Sequence, residues 1–110
     1  MVRHRNDNRL TVMALLKAKP GKEEDLKEAL LVQIHKIKEV HGYDTQFDVH
    51  QSKSDTSVFT LYEIWESEES MKLHFEQEYT KALVAKFEDL LAEPLQIWHL
   101  TKLLTDELPD

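Results

Sequence analysis

Between Arg9 and Ala18 the chain alternates, with Leu10, Val12, Ala14 and Leu16 on one side and Thr11, Met13, Leu15 and Lys17 on the other. Both sides are largely apolar. A strand covered on both faces belongs near the centre of its sheet, and Pro20–Gly21 then ends it in a turn. Over residues 22–40 the period lengthens. Leu26, Leu30, Ile34, Ile37 and His41 recur at spacings of four, four, three and four, which predicts one buried stripe along a helix. Glu23, Glu24 and Asp25 lie in the first turn, where the helix dipole favours negative charge, and Gly42 stands where a helix-ending glycine belongs.

Two strands follow around a polar turn at Ser52 to Ser57. The first, Gln46 to Gln51, sets Phe47 and Val49 against Gln46, Asp48 and His50. The second, Val58 to Trp65, is rich in β-branched and aromatic residues. It places Phe59, Leu61, Glu63 and Trp65 on one face and Val58, Thr60, Tyr62 and Ile64 on the other. So short a turn makes the pair antiparallel. Ser67 is positioned to cap a further helical segment, continuous or broken near Glu78–Thr80. Its stripe runs Met71, Phe75, Tyr79, then Leu83, Phe87, Leu90 and Leu91, until Glu93–Pro94 ends it. A last strand is expected over Leu95 to Leu104. Residues 1–8 and the acidic TDELPD tail read as loose ends.

The order β-α-β-β-α-β is the split-βαβ, ferredoxin-like α+β arrangement: a four-stranded antiparallel sheet with both helices on one face. The face left bare is still apolar here, and an exposed apolar face of that size usually means a partner. A homodimer through this face is expected, by Val58, Thr60, Tyr62 and Ile64 or by the opposite set. At 110 residues a single domain is expected over residues 1–110, its core about 10–104.

Composition narrows the partners. Fourteen basic residues against 21 acidic ones give a net charge of −7, which opposes binding to phosphate backbones; nucleic acid is not expected. With no cysteine, disulfides, thiolate metal sites and a cysteine nucleophile are all excluded. The longest apolar run, Val12 to Leu16, is far short of the about 20 residues that span a bilayer. With no signal peptide visible either, a cytoplasmic protein without membrane attachment is expected.

Glu63 is the most informative position for chemistry. It falls between Leu61 and Trp65 on an apolar face, where an unpaired carboxylate is costly to bury. Burial raises a carboxyl pKa toward the range useful for acid–base work. A structural hydrogen bond, or an ion pair across an interface, is the plainer reading. His74, three residues after Met71, can look between helix and sheet and could shuttle a proton near neutrality; a satisfied core histidine is the plainer reading. His50 and His99 lie on strands, and His35 belongs at the surface. No histidine pair has the spacing of a metal site, and two glycines cannot build a phosphate loop, so neither metal nor cofactor is expected. Trp65 and Trp98 are first of all core aromatics that could also wall a pocket.

The segment from Phe47 to Leu83, FDVHQSKSDTSVFTLYEIWESEESMKLHFEQEYTKAL, resembles the heart of the antibiotic-biosynthesis monooxygenase family. It has an aromatic-x-hydrophobic-His-x-Ser strand, a polar turn, F-x-L-Y-E-x-W, and a histidine nine residues after the tryptophan. VMALLKAKPGKEEDLKEAL resembles the family's first strand, Pro-Gly turn and helix, so the likeness covers roughly residues 10–104. Two departures stand out. The family often has a second histidine where Tyr79 stands, and its Glu-Pro-Gly-Cys turn is replaced by EVHGYDTQ, Glu39 to Gln46, about one residue longer.

The resemblance implies a homodimer of the dimeric α/β-barrel type, with a pocket between sheet and helices in each subunit. It implies one of several activities: cofactor-independent oxygenation of phenols and quinols, haem degradation, or isomerisation of small phosphorylated sugars. The first suits a chain without metal or flavin motifs, since an ionised electron-rich phenol can react with oxygen itself. Glu63 or His74 would then accept the proton, and Trp65, Tyr79 and His50 would line the substrate pocket. The alternatives are an isomerase of small carbonyl or phosphosugar compounds using the same two residues, and a non-catalytic small-molecule-binding dimer.

Overall fold

The structure, a computed structural model, describes residues 9–42 and 45–103. The expected arm at residues 1–8, the tail from residue 104 and the middle of the Glu39–Gln46 turn lie outside them. Strand β1 spans Leu10–Lys17, helix α1 Glu23–His41, β2 Phe47–Gln51, β3 Val58–Trp65, α2 Glu68–Glu76, α3 Glu78–Leu90 and β4 Gln96–Leu100. The sheet order is β2-β3-β1-β4, antiparallel throughout. This is the ferredoxin-like split-βαβ topology, with the doubly apolar β1 inside the sheet as its sequence requires.

The helices cover the face carrying Val12, Ala14, Leu16, Phe47, Phe59, Leu61 and Trp65, all buried. Leu26, Leu30 and Ile37 of α1 pack down on it and are fully buried. Each such side chain contributes about 1.5–3 kcal/mol on leaving water. The other face holds Thr60, Tyr62 and Ile64, only partly buried, and the half-exposed Met13 and Trp98. Register settles which face is which. Met13 stands opposite Tyr62 on one side and Trp98 on the other, and opposed residues in a sheet share a face.

Local chemistry fixes the ends of the elements. Gly42 takes φ 104, a backbone state L side chains rarely adopt, and its N–H closes α1 onto the Lys38 carbonyl at 2.9 Å. The Ser67 side chain caps α2, accepting the Ser70 N–H at 3.1 Å. Gln77, extended at φ −67 and ψ 141, separates α2 from α3. The break therefore falls just before the expected Glu78–Thr80, and it changes which residues face inward. Met71 and His74 are buried, whereas Phe75, expected in the stripe, is 44% exposed. After α3 the chain returns to the sheet: the Lys19 N–H reaches the Leu90 carbonyl and the Ala92 N–H the Lys17 carbonyl, both at 2.8 Å.

The final strand is shorter than expected, ending at Leu100, and all five of its residues are exposed. It hydrogen-bonds β1 alone, leaving Ile97 and His99 on its helix-side face with no helix over them.

A buried carboxyl, tryptophan and histidine behind an open cleft

The helix end of the covered face carries the chemistry. Glu63 and Trp65 are two apart in β3, so the pleat turns both toward the helices. The Trp65 indole Nε1–H donates to Glu63 Oε1 at 2.8 Å, with Glu63 7% and Trp65 3% exposed. His74, 3% exposed, comes from α2 and lies on the indole with ring centres 4.6 Å apart at 27°, a stacked pair. The rings of His41, Phe47 and Tyr79 surround it at about 6 Å, tilted or edge-on as aromatic quadrupoles prefer.

Burial sets the protonation of both titratable groups. It pushes the Glu63 carboxyl up to about 7, against the pull of the Trp65 N–H that favours the anion. It holds His74 down at about 4, helped by the neighbouring His41. Near neutrality, therefore, Glu63 is poised between its two states and His74 is uncharged. Burial also raises the Tyr79 phenol, whose hydroxyl has no hydrogen-bond partner among the described residues.

Behind His74 a polar chain crosses the core. The Gln33 Nε2–H of α1 donates to Thr80 Oγ1 of α3 at 3.0 Å, and that oxygen lies 3.4 Å from His74 Nδ1. In front, a cleft of about 460 Å³ opens at the end of the sheet, lined in part by His41, Thr45, Gln46, Trp65 and Ser70. Trp65 lines this cleft; Glu63 and His74 do not.

Of the residues singled out from the sequence, Glu63, Trp65, His74 and Tyr79 come together in this one cluster. His50 does not. It stands opposite Thr60 on the bare face and is exposed, because pleat parity separates it from Phe47 and Val49. Its assignment to the pocket is corrected accordingly. His35 is at the surface, paired with Glu39 at 2.9 Å. Gln33 and Thr80 are members that sequence reasoning missed, and His41, expected only as the last residue of the buried α1 stripe, is exposed and joins the cluster by its ring. His41 sits four residues after Ile37, so the stripe that buries α1 carries it on to the sheet's end, where its ring meets Trp65 edge-on at 5.6 Å. Gln33 lies within that same stripe, three residues after Leu30 and four before Ile37. Among the described residues no three histidines or carboxylates converge to hold a metal ion, and no helix is long and apolar enough to cross a membrane.

Known proteins share this architecture. Over 90 residues the chain is 33% identical to "Putative monooxygenase YcnE" of Bacillus subtilis (strain 168), covering 80% of this chain and 92% of that one. The crystal structure of PA3566 from Pseudomonas aeruginosa superposes with a TM-score of 0.77 at 25% identity, covering 88% of this chain and 96% of its own. A structure titled "Putative antibiotic biosynthesis monooxygenase from Nitrosomonas europaea" gives 0.78 at 21% identity, over 94% and 98% of the two chains, and shares the fold. Residues 9–86 match the family model described as antibiotic biosynthesis monooxygenase, a span that holds the whole Glu63–Trp65–His74 cluster. The chain belongs to the antibiotic biosynthesis monooxygenase family.

Proposed function

We propose that the protein is a cytoplasmic, homodimeric, cofactor-independent monooxygenase that oxidises a small phenol- or quinol-like substrate with O2. The observation that carries this reading is Glu63, a carboxyl buried on an apolar face and pushed up to about 7, hydrogen-bonded to the indole that walls the cleft. A general base acts best with a pKa near the working pH, and Glu63 meets that condition where His74, held near 4, does not. Glu63 is accordingly the base and His74 its uncharged neighbour.

The Trp65 N–H occupies Glu63 Oε1 and Trp65 lines the cleft, so a phenol hydroxyl that enters past Trp65 donates to the carboxylate's other oxygen. Proton transfer to Glu63 leaves a phenolate. A ring carbon of the phenolate then bonds to O2, and the resulting peroxide takes up a proton. Loss of water, made from the ring C–H proton and the outer oxygen, leaves a quinone that keeps one oxygen atom of O2. The flat edge-lined aromatic cluster suits such a ring.

The test is oxygen uptake across a panel of phenols and quinols under ¹⁸O2. The expected product carries a single labelled atom. Ligands that raise the melting temperature while none is turned over would instead assign a binding protein.

The bare sheet face supports the homodimer. Met13, Trp98 and Leu100 lie there, between 37% and 44% exposed, beside the partly buried Tyr62 and Ile64. An obligate pairing over such a face buries upwards of about 2,000 Å². Sedimentation velocity at micromolar concentration is expected to give the mass of two chains, and a stable monomer there would remove the dimer from this reading.

A further inference from the structure

His74 is approached from behind by two buried polar side chains that contact none of the other site residues by hydrogen bonds. Gln33 is 3% and Thr80 2% exposed, on different helices and 47 residues apart in the chain. Buried polar groups are costly unless their hydrogen bonds are made, so the chain they form has a definite direction. The Thr80 hydroxyl has one proton and two lone pairs. Gln33 Nε2–H occupies one lone pair at 3.0 Å. The hydroxyl proton then needs an acceptor, and the ring nitrogen His74 Nδ1 stands 3.4 Å away, at the long end of the hydrogen-bond range. A proton on Nδ1 would instead aim two donors at one oxygen and leave the hydroxyl proton unmatched.

We infer that Gln33 and Thr80 are positioning residues that hold His74 in the tautomer carrying its proton on Nε2, so that the histidine meets a ligand as a hydrogen-bond donor. Nε2–H, the ring position that Thr80 does not occupy, is then the donor left for an oxygen atom of a molecule that reaches past Trp65, since His74 is 3% exposed and lies off the cleft itself. This deepens the proposed oxygenase, supplying a fixed neutral donor on the other side of Trp65's contacts from the Glu63 base. It rests on that reading only for what the donor is used for. The tautomer stands or falls without any turnover.

Long-range ¹H–¹⁵N correlation spectra of histidine-labelled protein above pH 7 report the tautomer directly. The expected His74 pattern has an acceptor-type shift at Nδ1 and a protonated Nε2. Thr80→Val, which keeps the shape and removes the hydroxyl, is expected to shift the tautomer ratio toward Nδ1–H by roughly fivefold, the worth of one ordinary hydrogen bond. Thr80→Ser should restore the wild-type pattern. A wild-type spectrum with the proton on Nδ1 would mean the relay runs the other way, from His74 through Thr80 to the Gln33 carbonyl, and overturns the inference. So would a folded Thr80→Val protein with an unchanged ratio. Because the wild-type spectrum alone can overturn it, a Val variant that fails to fold leaves the inference exposed to disproof. Loss of oxygen uptake across the substrate panel, with the Nε2–H pattern intact, would instead count against the oxygenase.

Discussion

Glu63→Gln is expected to lower turnover of a phenolic substrate by roughly 10²–10⁴, because an amide cannot take the proton. Its effect on stability carries a second signature. In the folded chain the carboxyl titrates near 7 rather than near its ordinary 4.5. Between those values the native state holds a proton that the unfolded chain has released. Stability contributed by the neutral acid is thus fully present below about 4.5 and is lost as pH rises to about 7.

His74 runs the opposite way. It titrates near 4 in the native state against 6.5 unfolded, so over that window the unfolded chain holds the extra proton and stability rises with pH. The two slopes each approach about 1.4 kcal/mol per pH unit, and they offset one another between about pH 4.5 and 6.5. Relative to wild type, Glu63→Gln should therefore gain stability as pH rises through that window, and His74→Ala should lose it. Urea unfolding at pH 4.5, 5.5 and 6.5 measures both; parallel curves for all three proteins would show that neither group is buried as described.

Trp65→Ala is expected to cost about 3–5 kcal/mol, the range for deleting a buried large aromatic. The indole is 3% exposed and touches four functional groups at once: the Glu63 carboxyl and the rings of His74, His41 and Phe47. Each ring pair adds about 0.5–1.5 kcal/mol beyond area, which places this loss toward the upper end. Trp65→Phe separates packing from hydrogen bonding. It keeps an aromatic wall but withdraws the N–H that favours the Glu63 anion, so the carboxyl should titrate above about 7. Chemical denaturation of the alanine variant and carbonyl infrared titration of the phenylalanine variant read the two effects. A Trp65→Phe carboxyl that titrates lower than wild type would contradict the hydrogen bond.

The strands and the long helix were legible because their burial is periodic. Val58–Trp65 follows from its β-branched and aromatic content, and alternation sorts its residues into two faces, with Glu63 a charge among apolar neighbours; which face the helices cover comes only from the structure. The limits are as physical. Phe75 continues the Met71 stripe and so reads as core, but a stripe extends only as far as its helix. With Gln77 extended, α2 ends at Glu76 and packs through Met71 and His74 instead. Gln33 and Thr80 are polar, and polarity is read as exposure unless a partner is known; their partners are each other and His74, brought together only by helix packing. Parity puts His50 on the other face of β2 from Phe47, whereas the family resemblance implies a place in the pocket; the pleat decides for the bare face. The last strand reads too long from the sequence, because Leu103 and Leu104 suggest that apolar character resumes after Leu100, where pairing with β1 has stopped.

The chain's two tryptophans fall on opposite sides of one sheet. Trp65 lies under the helices, stacked on an imidazole, and Trp98 stands on the bare face, 44% exposed. They differ in polarity of surroundings and in access to solutes, so their emission separates into a blue-shifted, shielded component and a red-shifted, quenchable one. A collisional quencher such as iodide reads the bare face through Trp98. An imidazole in contact with an indole quenches it more strongly when protonated, so the shielded component reads the charge on His74. Without any label, the molecule reports optically on the surface where a second copy would dock and, independently, on the protonation of the histidine beside the cleft.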